Sequence, residues 1–353
     1  MAFDLNLEKK INIYLDPRAK ISYASFYIEG ISQLFRDSSI SFNIKYFNDL
    51  IQIGDSEAFD HYFAFVIITL ISKIKIVIDY RDKDSFSEIA YKWCDIYAKV
   101  NYNSSKTGVA YQKKTIAIGP GFGIKIFDFP ISYYHAFHNL INSLHNSRIV
   151  IKHFLAHYYR QKDRKKLNAY IKSESVNNYV FFVSTLWTHK NCVESTNPLR
   201  ASFIRTCKNN RLIDFEGGLV SNRANPEFNN YKDIILHKRI NNKVYMQNIR
   251  RSAFVFNTPA VWNCHGWKLG EYFALGKAII SSPLSNDMPV PLIHGENIHF
   301  VENSYDIQEA VEMIIENKEY RLKLEKGAFD YWQKFLSPKS VIQRIVNSYQ
   351  KST

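Results

Sequence analysis

The chain has 353 residues, of which 46% are hydrophobic, 15% aromatic and 22% charged. That is too long for one ordinary core and suits two domains of about 150 residues each, and it excludes a disordered or disulfide-stapled chain. The net charge of +13 leaves a nucleic acid, an anionic membrane surface or a phosphorylated substrate as partner.

Met1 to Lys10 alternates charged and apolar residues and lacks the pattern of an export leader. The longest apolar run, Phe63 to Ile71, is followed by Lys73 and Lys75 and falls short of the roughly 20 residues that span a bilayer. Cys94, Cys192, Cys207 and Cys264 fit neither metal-site spacing nor a disulfide framework. A cytoplasmic protein is expected.

In chain order, Ile11–Leu15 is an apolar strand candidate and Tyr23–Phe35 a helix, which together make a βα unit. Further strands are expected at Ser41–Phe47, Phe63–Thr69, Ile74–Asp79 and Ile96–Val100, with a helix over Phe86–Trp93. Such alternation predicts a parallel sheet covered on both faces. Gly119–Gly123 lacks the spacing of a dinucleotide fingerprint and reads as a surface turn. Apolar residues then recur at three and four, as in Tyr134, Phe137, Leu140, Ile141 and Leu144, predicting one or two helices over 132–170.

A second α/β unit restarts with the strand Tyr179–Ser184, followed by a helix carrying Arg200, Phe203, Ile204 and Cys207. Strands are expected at Ile234–Leu236, Phe254–Asn257 and Ala278–Ser281, and a helix at Lys268–Leu275. Ser304–Glu316 and Glu319–Phe335 read as amphipathic helices, and Ser337-Pro338 opens a last one. The division is 1–172, 173–335 and a terminal helix in 336–353.

Most chemistry gathers where the strand Phe254–Asn257 passes through a loop ending Cys264-His265-Gly266 into a helix that begins near Lys268. Ligands of open α/β sheets sit at carboxyl ends of strands, where helix N-termini offer N–H groups to phosphates. Gly266 lets backbone approach a diphosphate, Lys268 adds a point charge, and Glu271 is placed to accept from sugar hydroxyls. Trp267 joins this donor-side set, whereas Tyr272 reads as core. His265 is either a catalyst or a hydrogen-bonded structural residue, and Glu271 could instead pair with Lys268 on the helix face.

Glu271-Tyr-Phe-Ala-Leu-Gly-Lys-Ala-Ile-Ile280 resembles the signature of GT-B glycosyltransferases, and Ile293–Val301, reading Ile-His-Gly-Glu-Asn-Ile-His-Phe-Val, is similar to a loop of the same superfamily. The helices after it also look alike. The resemblance is specific over 244–335 and is nearest to the group 1-like transferases of bacterial polysaccharide assembly. It implies an α/β fold with two Rossmann-like domains facing across a cleft and a UDP- or GDP-linked sugar held by the carboxyl-terminal domain. It further implies transfer to a glycan or lipid-linked acceptor in cell-surface polysaccharide synthesis, with neither metal nor cofactor. Two departures stand out. Asn263, eight positions before Glu271, occupies the place of the first glutamate of retaining members, which leaves the stereochemical outcome open, and Lys277 replaces a small residue.

Arg200 and Arg205 follow the strand Tyr179–Ser184, where the family presents a basic residue to donor phosphates. Asp79 and Asp82, at the end of a strong strand, are either a base for an acceptor hydroxyl or caps of the next helix. Between Arg148 and Lys172, eight basic residues stand against Asp163 alone. With Phe154, Leu155, Tyr158 and Tyr159 among them, they suit an anionic membrane surface at its inner, cytoplasmic face or a solvated helix. No nucleic-acid-binding signature is found. The rival functions are a nucleotide-sugar epimerase of the same fold and a non-catalytic glycan- or nucleic-acid-binding protein.

Overall fold

The computed structural model describes residues 11–50, 62–144, 149–172, 174–237 and 240–350. Met1 to Lys10 and Arg148 lie outside the described residues. The chain divides into two compact units: Met1–Ala169 with Asp287–Pro289 and Phe335–Thr353, and Tyr170–Asn286 with Val290–Lys334.

The first unit runs β1 (Asn12–Leu15), α1 (Ile21–Leu34), β2 (Ser39–Phe42), β3 (Tyr62–Ile68), β4 (Lys73–Asp79), α2 (Glu88–Trp93), β5 (Ile96–Lys99), α3 (Val109–Gln112), β6 (Thr115–Ala117), α4 (Phe129–Ser143) and α5 (Ile151–Tyr159). Its sheet has the order β2-β1-β3-β4-β5-β6. The expectation of a wholly parallel sheet fails at β3, which pairs antiparallel with both β1 and β4. Only a tight turn joins β3 to β4, closed by the Thr69–Ser72 side-chain hydrogen bond of 2.9 Å, and a parallel return needs a dozen residues or more.

Three other expectations are corrected. The strand foreseen over Ser41–Phe47 stops at Phe42, because Asn43 accepts from Lys45 N at 3.2 Å and turns the chain into a single 3-10 turn. Gly119–Gly123 is no surface turn: Gly119, Pro120 and Gly123 are buried, and Phe122 packs on Phe26 with ring centroids 5.2 Å apart. The basic stretch up to Lys172 is not one helix, since α5 gives way to 3-10 turns at Arg160–Asp163 and Leu167–Ala169. Phe154 and Tyr158 are buried there, and Lys166 is held by Asp128 at 3.1 Å.

The second unit runs β7 (Tyr179–Thr185), α6 (Asn197–Asn209), β8 (Asp214–Val220), β9 (Ile235–Leu236), α7 (Asn242–Arg251), β10 (Phe254–Asn257), α8 (Trp267–Ala274), β11 (Ala278–Ser281), β12 (His299–Phe300), α9 (Ser304–Glu316) and α10 (Lys318–Tyr331). Two parallel ladders, β7-β8-β9 and β10-β11-β12, meet where Ala253 N donates to Tyr179 O at 2.7 Å and Phe182 packs edge-on against Phe256. Residues of the strands, among them Val180, Phe254 and Ile280, form one core with Phe203 of α6 and Ile307 of α9. β8 has no counterpart in the sequence reading, because Gly217 and Gly218 interrupt its apolar pattern. Their φ angles of 146° and 154° are open to glycine alone, and a Cβ on either would strike the carbonyl of Phe182 or Ile234.

Lys277, the departure from the family pattern, is fully buried at the start of β11. It donates to Ser175 Oγ and Ser252 O at 2.9 Å and to Arg250 O at 2.5 Å, so it fastens the ends of α7 and β10. A last helix, α11 (Pro338–Gln350), returns to the first unit and lies along α1. The approach is so close that a Cβ on Gly30 would overlap the Pro338 carbonyl.

Asp79 closes β4 as the hub of a buried ion network. Its Oδ2 accepts from Lys99 Nζ at 2.9 Å, Arg81 Nη2 at 2.7 Å and Tyr97 Oη at 2.7 Å. Burial alone would raise the carboxyl's pKa, and the two cations together reverse this and hold it well below the usual carboxylate range. A carboxylate so held is a poor base, which removes Asp79 from the catalytic candidates; Asp82, beyond the strand, is exposed. Asp79→Asn leaves Lys99, itself fully buried, without its counter-charge. It is expected to cost about 3–5 kcal/mol in urea unfolding, and a variant of native stability that had lost turnover would return Asp79 to a catalytic role.

Candidate functional site

In the second unit the chain leaves β7 toward β8 and β9 on one side, then starts again at β10 and moves to β11 and β12 on the other. The carboxyl ends of β7 and β10 therefore flank the point where strand order reverses, which is where open α/β sheets bind ligands. Two cavities open there. The larger, about 890 Å³, is lined by Val183, Thr185, Val220, Asn222, Tyr245 and Lys268 among others. A smaller one of about 200 Å³ is lined by Thr185, Arg200, Thr258, Gly266, Trp267 and Lys268 among others. Ser184, Thr185 and Lys268 belong to both.

Local sequence explains each placement. β7 is apolar from Tyr179 to Val183 and turns polar at Ser184-Thr185, which ends it at the cavity floor. Pro198 sits in the first turn of α6, a position that tolerates its missing N–H, and Arg200 follows one turn inside. Arg200 is buried; its Nε donates to Thr258 Oγ1 at 2.9 Å and its Nη1 to Thr185 O at 3.2 Å. Burial lowers its pKa to about 10, so it remains charged at neutral pH.

The loop from β10 to α8 carries two successive left-handed residues, Trp262 at φ 59° and Asn263 at φ 56°. Asparagine tolerates that conformation better than most side chains. Asn191 Nδ2 donates to Ala260 O at 3.0 Å and to Asn263 Oδ1 at 2.9 Å, and Asn286 Nδ2 donates to Asn263 O at 2.9 Å. Asn263, standing where a glutamate was looked for, thus fixes the bend that delivers Gly266 to the start of α8. Gly266 caps that helix with no side-chain hydrogen bond, leaving the positive end of the dipole to the cavity.

Lys268 enters from the first turn of α8, with Nζ donating to Val183 O and lying 5.5 Å above the Phe182 ring centroid. Burial first, and then the nearby Arg200 charge, lower its pKa to about 7. Glu271, one turn on, lines neither cavity; it accepts from Tyr245 Oη at 3.2 Å, and Tyr245 in turn lines the larger one.

The structure therefore brings Arg200, Gly266, Trp267 and Lys268 to one cavity and sets the rest apart. Arg205 lies on another face of α6, five residues from Arg200, bound by both oxygens of Asp233 at 2.8 and 2.9 Å beside a separate cavity of about 610 Å³. Its charge is already answered, which removes it from the donor set. His265 is buried and lines neither cavity at the strand ends, and Tyr272 is core, as its spacing suggested. Thr258 and Tyr245 went unread in the sequence; the only signal was a polar residue at the end of an apolar strand and a tyrosine on an otherwise polar helix.

The chain matches no protein-family model and no curated protein. Several solved structures are similar to it. One is the carboxyl-terminal domain of a group 1 family glycosyltransferase from Francisella tularensis, 16% identical, with a TM-score of 0.33, covering 47% of this chain and 88% of that one. HepE of Anabaena, solved with UDP and glucose, is 14% identical over 77% of this chain and 70% of its own, with a TM-score of 0.44. A glycosyltransferase of Rickettsia africae is 11% identical over 92% and 73%, with a TM-score of 0.42. Among the described residues, no helix is long and apolar enough to cross a membrane.

The depressed pKa of Lys268 has a definite sign. Above about pH 7 the folded chain releases a proton that the unfolded lysine keeps until about pH 10. The unfolded state therefore binds more protons, and this group makes stability rise with pH across that window. Lys268→Met should flatten the rise in urea unfolding measured at pH 7, 8 and 9; an unaltered slope would trace it to another group.

Proposed function

We propose that this chain is a glycosyltransferase of GT-B type whose second unit binds a nucleotide-sugar. The observation that carries the reading is the convergence of two cations, the buried Arg200 and the half-buried Lys268, at one cavity on the strand-order switch point. Two like charges, one buried and one half-buried, raise each other's free energy, and an anion beside them relieves both. A diphosphate supplies that anion. The larger cavity beside Lys268 has room for the nucleoside, and the helix N-terminus at Gly266 adds backbone N–H groups aimed at the same place.

In such an enzyme the bond from the anomeric carbon to the diphosphate oxygen breaks, and negative charge grows on the leaving group. Arg200, Lys268 and the dipole of α8 are fixed before the reaction begins, so they stabilise that charge without reorganising. The two side-chain cations do the work a divalent metal does elsewhere, which favours metal-independent transfer. The first unit would take the acceptor, a glycan or lipid-linked saccharide of polysaccharide assembly, and the sequence signature from Glu271 to Ile280 supports the same assignment. An epimerase of the same fold would use the site equally well and differs in its product, an isomeric nucleotide-sugar in place of a transferred glycosyl group.

UDP or GDP is expected to bind in the presence of EDTA, measured by calorimetry, and to take up a proton at pH 8 as Lys268 regains its charge. Lys268→Ala should weaken that binding more than tenfold, about 1.5–3 kcal/mol for a lost charge-assisted contact. Absence of binding by either nucleotide at millimolar concentration would overturn the donor site.

Gly266→Ala separates binding from folding more cleanly. Its φ of −77° and ψ of 152° suit any residue, and a Cβ there meets nothing within 4 Å. The melting temperature should therefore stay put while the methyl group obstructs the diphosphate and lowers affinity several-fold. Undiminished affinity would mean that phosphate does not approach this loop.

A further inference from the structure

We propose that the outer face of the α4–α5 hairpin in the first unit docks on an anionic lipid bilayer. The inference stands apart from the nucleotide site and is tested without any sugar nucleotide. Helix α4 is built inside out. Its buried residues are mostly small or polar, namely Ser132, Ala136, Asn139, Leu140 and Ser143, and they seat the helix on α5 through Ser132 Oγ to Tyr158 O at 3.1 Å and Asn139 Nδ2 to Tyr158 Oη at 2.9 Å. Its large apolar residues face water instead. Phe129, Tyr133, Phe137 and Ile141 follow one another every four residues as a single stripe, with Tyr134 and Leu144 beside it; Phe137 is 67% exposed and Tyr134 64%.

Helix α5 continues the surface with Ile151, Leu155 and Tyr159, all exposed. Soluble proteins seldom leave an apolar patch of this extent uncovered. The charge beside it selects the partner. Neither α4 nor α5 contains an Asp or Glu, while Lys152, Arg160 and Lys162 are exposed at the margin, Lys162 lying 3.6 Å from the Tyr159 ring centroid. Of the flanking acids, Asp128 is matched by Lys125 and Lys166, each at 3.1 Å, and Asp163 sits within the basic turn. Aromatic and aliphatic side chains rimmed by lysine and arginine are the composition that settles at the headgroup level of anionic membranes. Pairing two copies through this face would instead set the same cations against each other.

The full chain should sediment with phosphatidylcholine vesicles containing a quarter phosphatidylglycerol and much less with pure phosphatidylcholine. Phe137→Ser combined with Ile141→Ser changes only exposed positions, so the melting temperature should hold while partitioning to the anionic vesicles falls more than tenfold. Lys152→Gln, Arg160→Gln and Lys162→Gln together should remove most of the difference between the two lipid mixtures. The proposal is overturned if the wild-type chain ignores anionic vesicles, or if the Phe137/Ile141 variant binds them as the wild type does. It is equally overturned if light scattering shows a wild-type dimer that this variant dissolves, for the face would then join two copies.

Discussion

Arg200 is buried and Lys268 half-buried at the carboxyl ends of β7 and β10, and the second unit is organised around holding the two cations there. Each is positioned by a different strand–loop–helix segment: α6 brings the arginine, held by Thr258 and the Thr185 carbonyl, and α8 brings the lysine, held by the Val183 carbonyl. Burial is the larger cause that lowers the Lys268 pKa, and the Arg200 charge adds to it, because like charges repel more at the low effective dielectric of a protein interior than in water. The folded state tolerates this cost because the core of Val180, Phe203, Phe254 and Ile280 fixes the two strands whatever stands at their ends.

How much of this could be read from the sequence depended on how local each determinant was. The segment from β10 through Gly266 and Lys268 to β11 is contiguous, and its polar residues fall at a strand end and a helix start, so residue order alone placed them. Arg200 and Arg205 lie on the same helix, and the fold shows what separates them: one faces Thr258 and the other Asp233. Asp79 resembled a base because a strand-end aspartate is chemically ambiguous until its neighbours are known, and those neighbours, Tyr97 and Lys99, arrive from β5. The direction of β3 was in principle legible, since the few residues before β4 leave no room for a crossover, but a period-two pattern says nothing of strand sense. Helix α4 shows a different limit: its apolar periodicity gave the helix, and says nothing of the exposure that the structure finds at Tyr134, Phe137, Ile141 and Leu144.

The departures from the family pattern have structural causes rather than being random drift. Asn263 supplies a left-handed bend, and Lys277 donates to three oxygens, Ser175 Oγ, Arg250 O and Ser252 O. In both cases a side chain holds main chain in place.

The return of α11 to α1 orders events during synthesis. Every element of the second unit lies between the two stretches that make up most of the first, so the second unit is complete before the ribosome has released the helix that packs on α1 at Gly30. The first sheet must therefore wait, with one flank of α1 uncovered, until α11 emerges after the second unit.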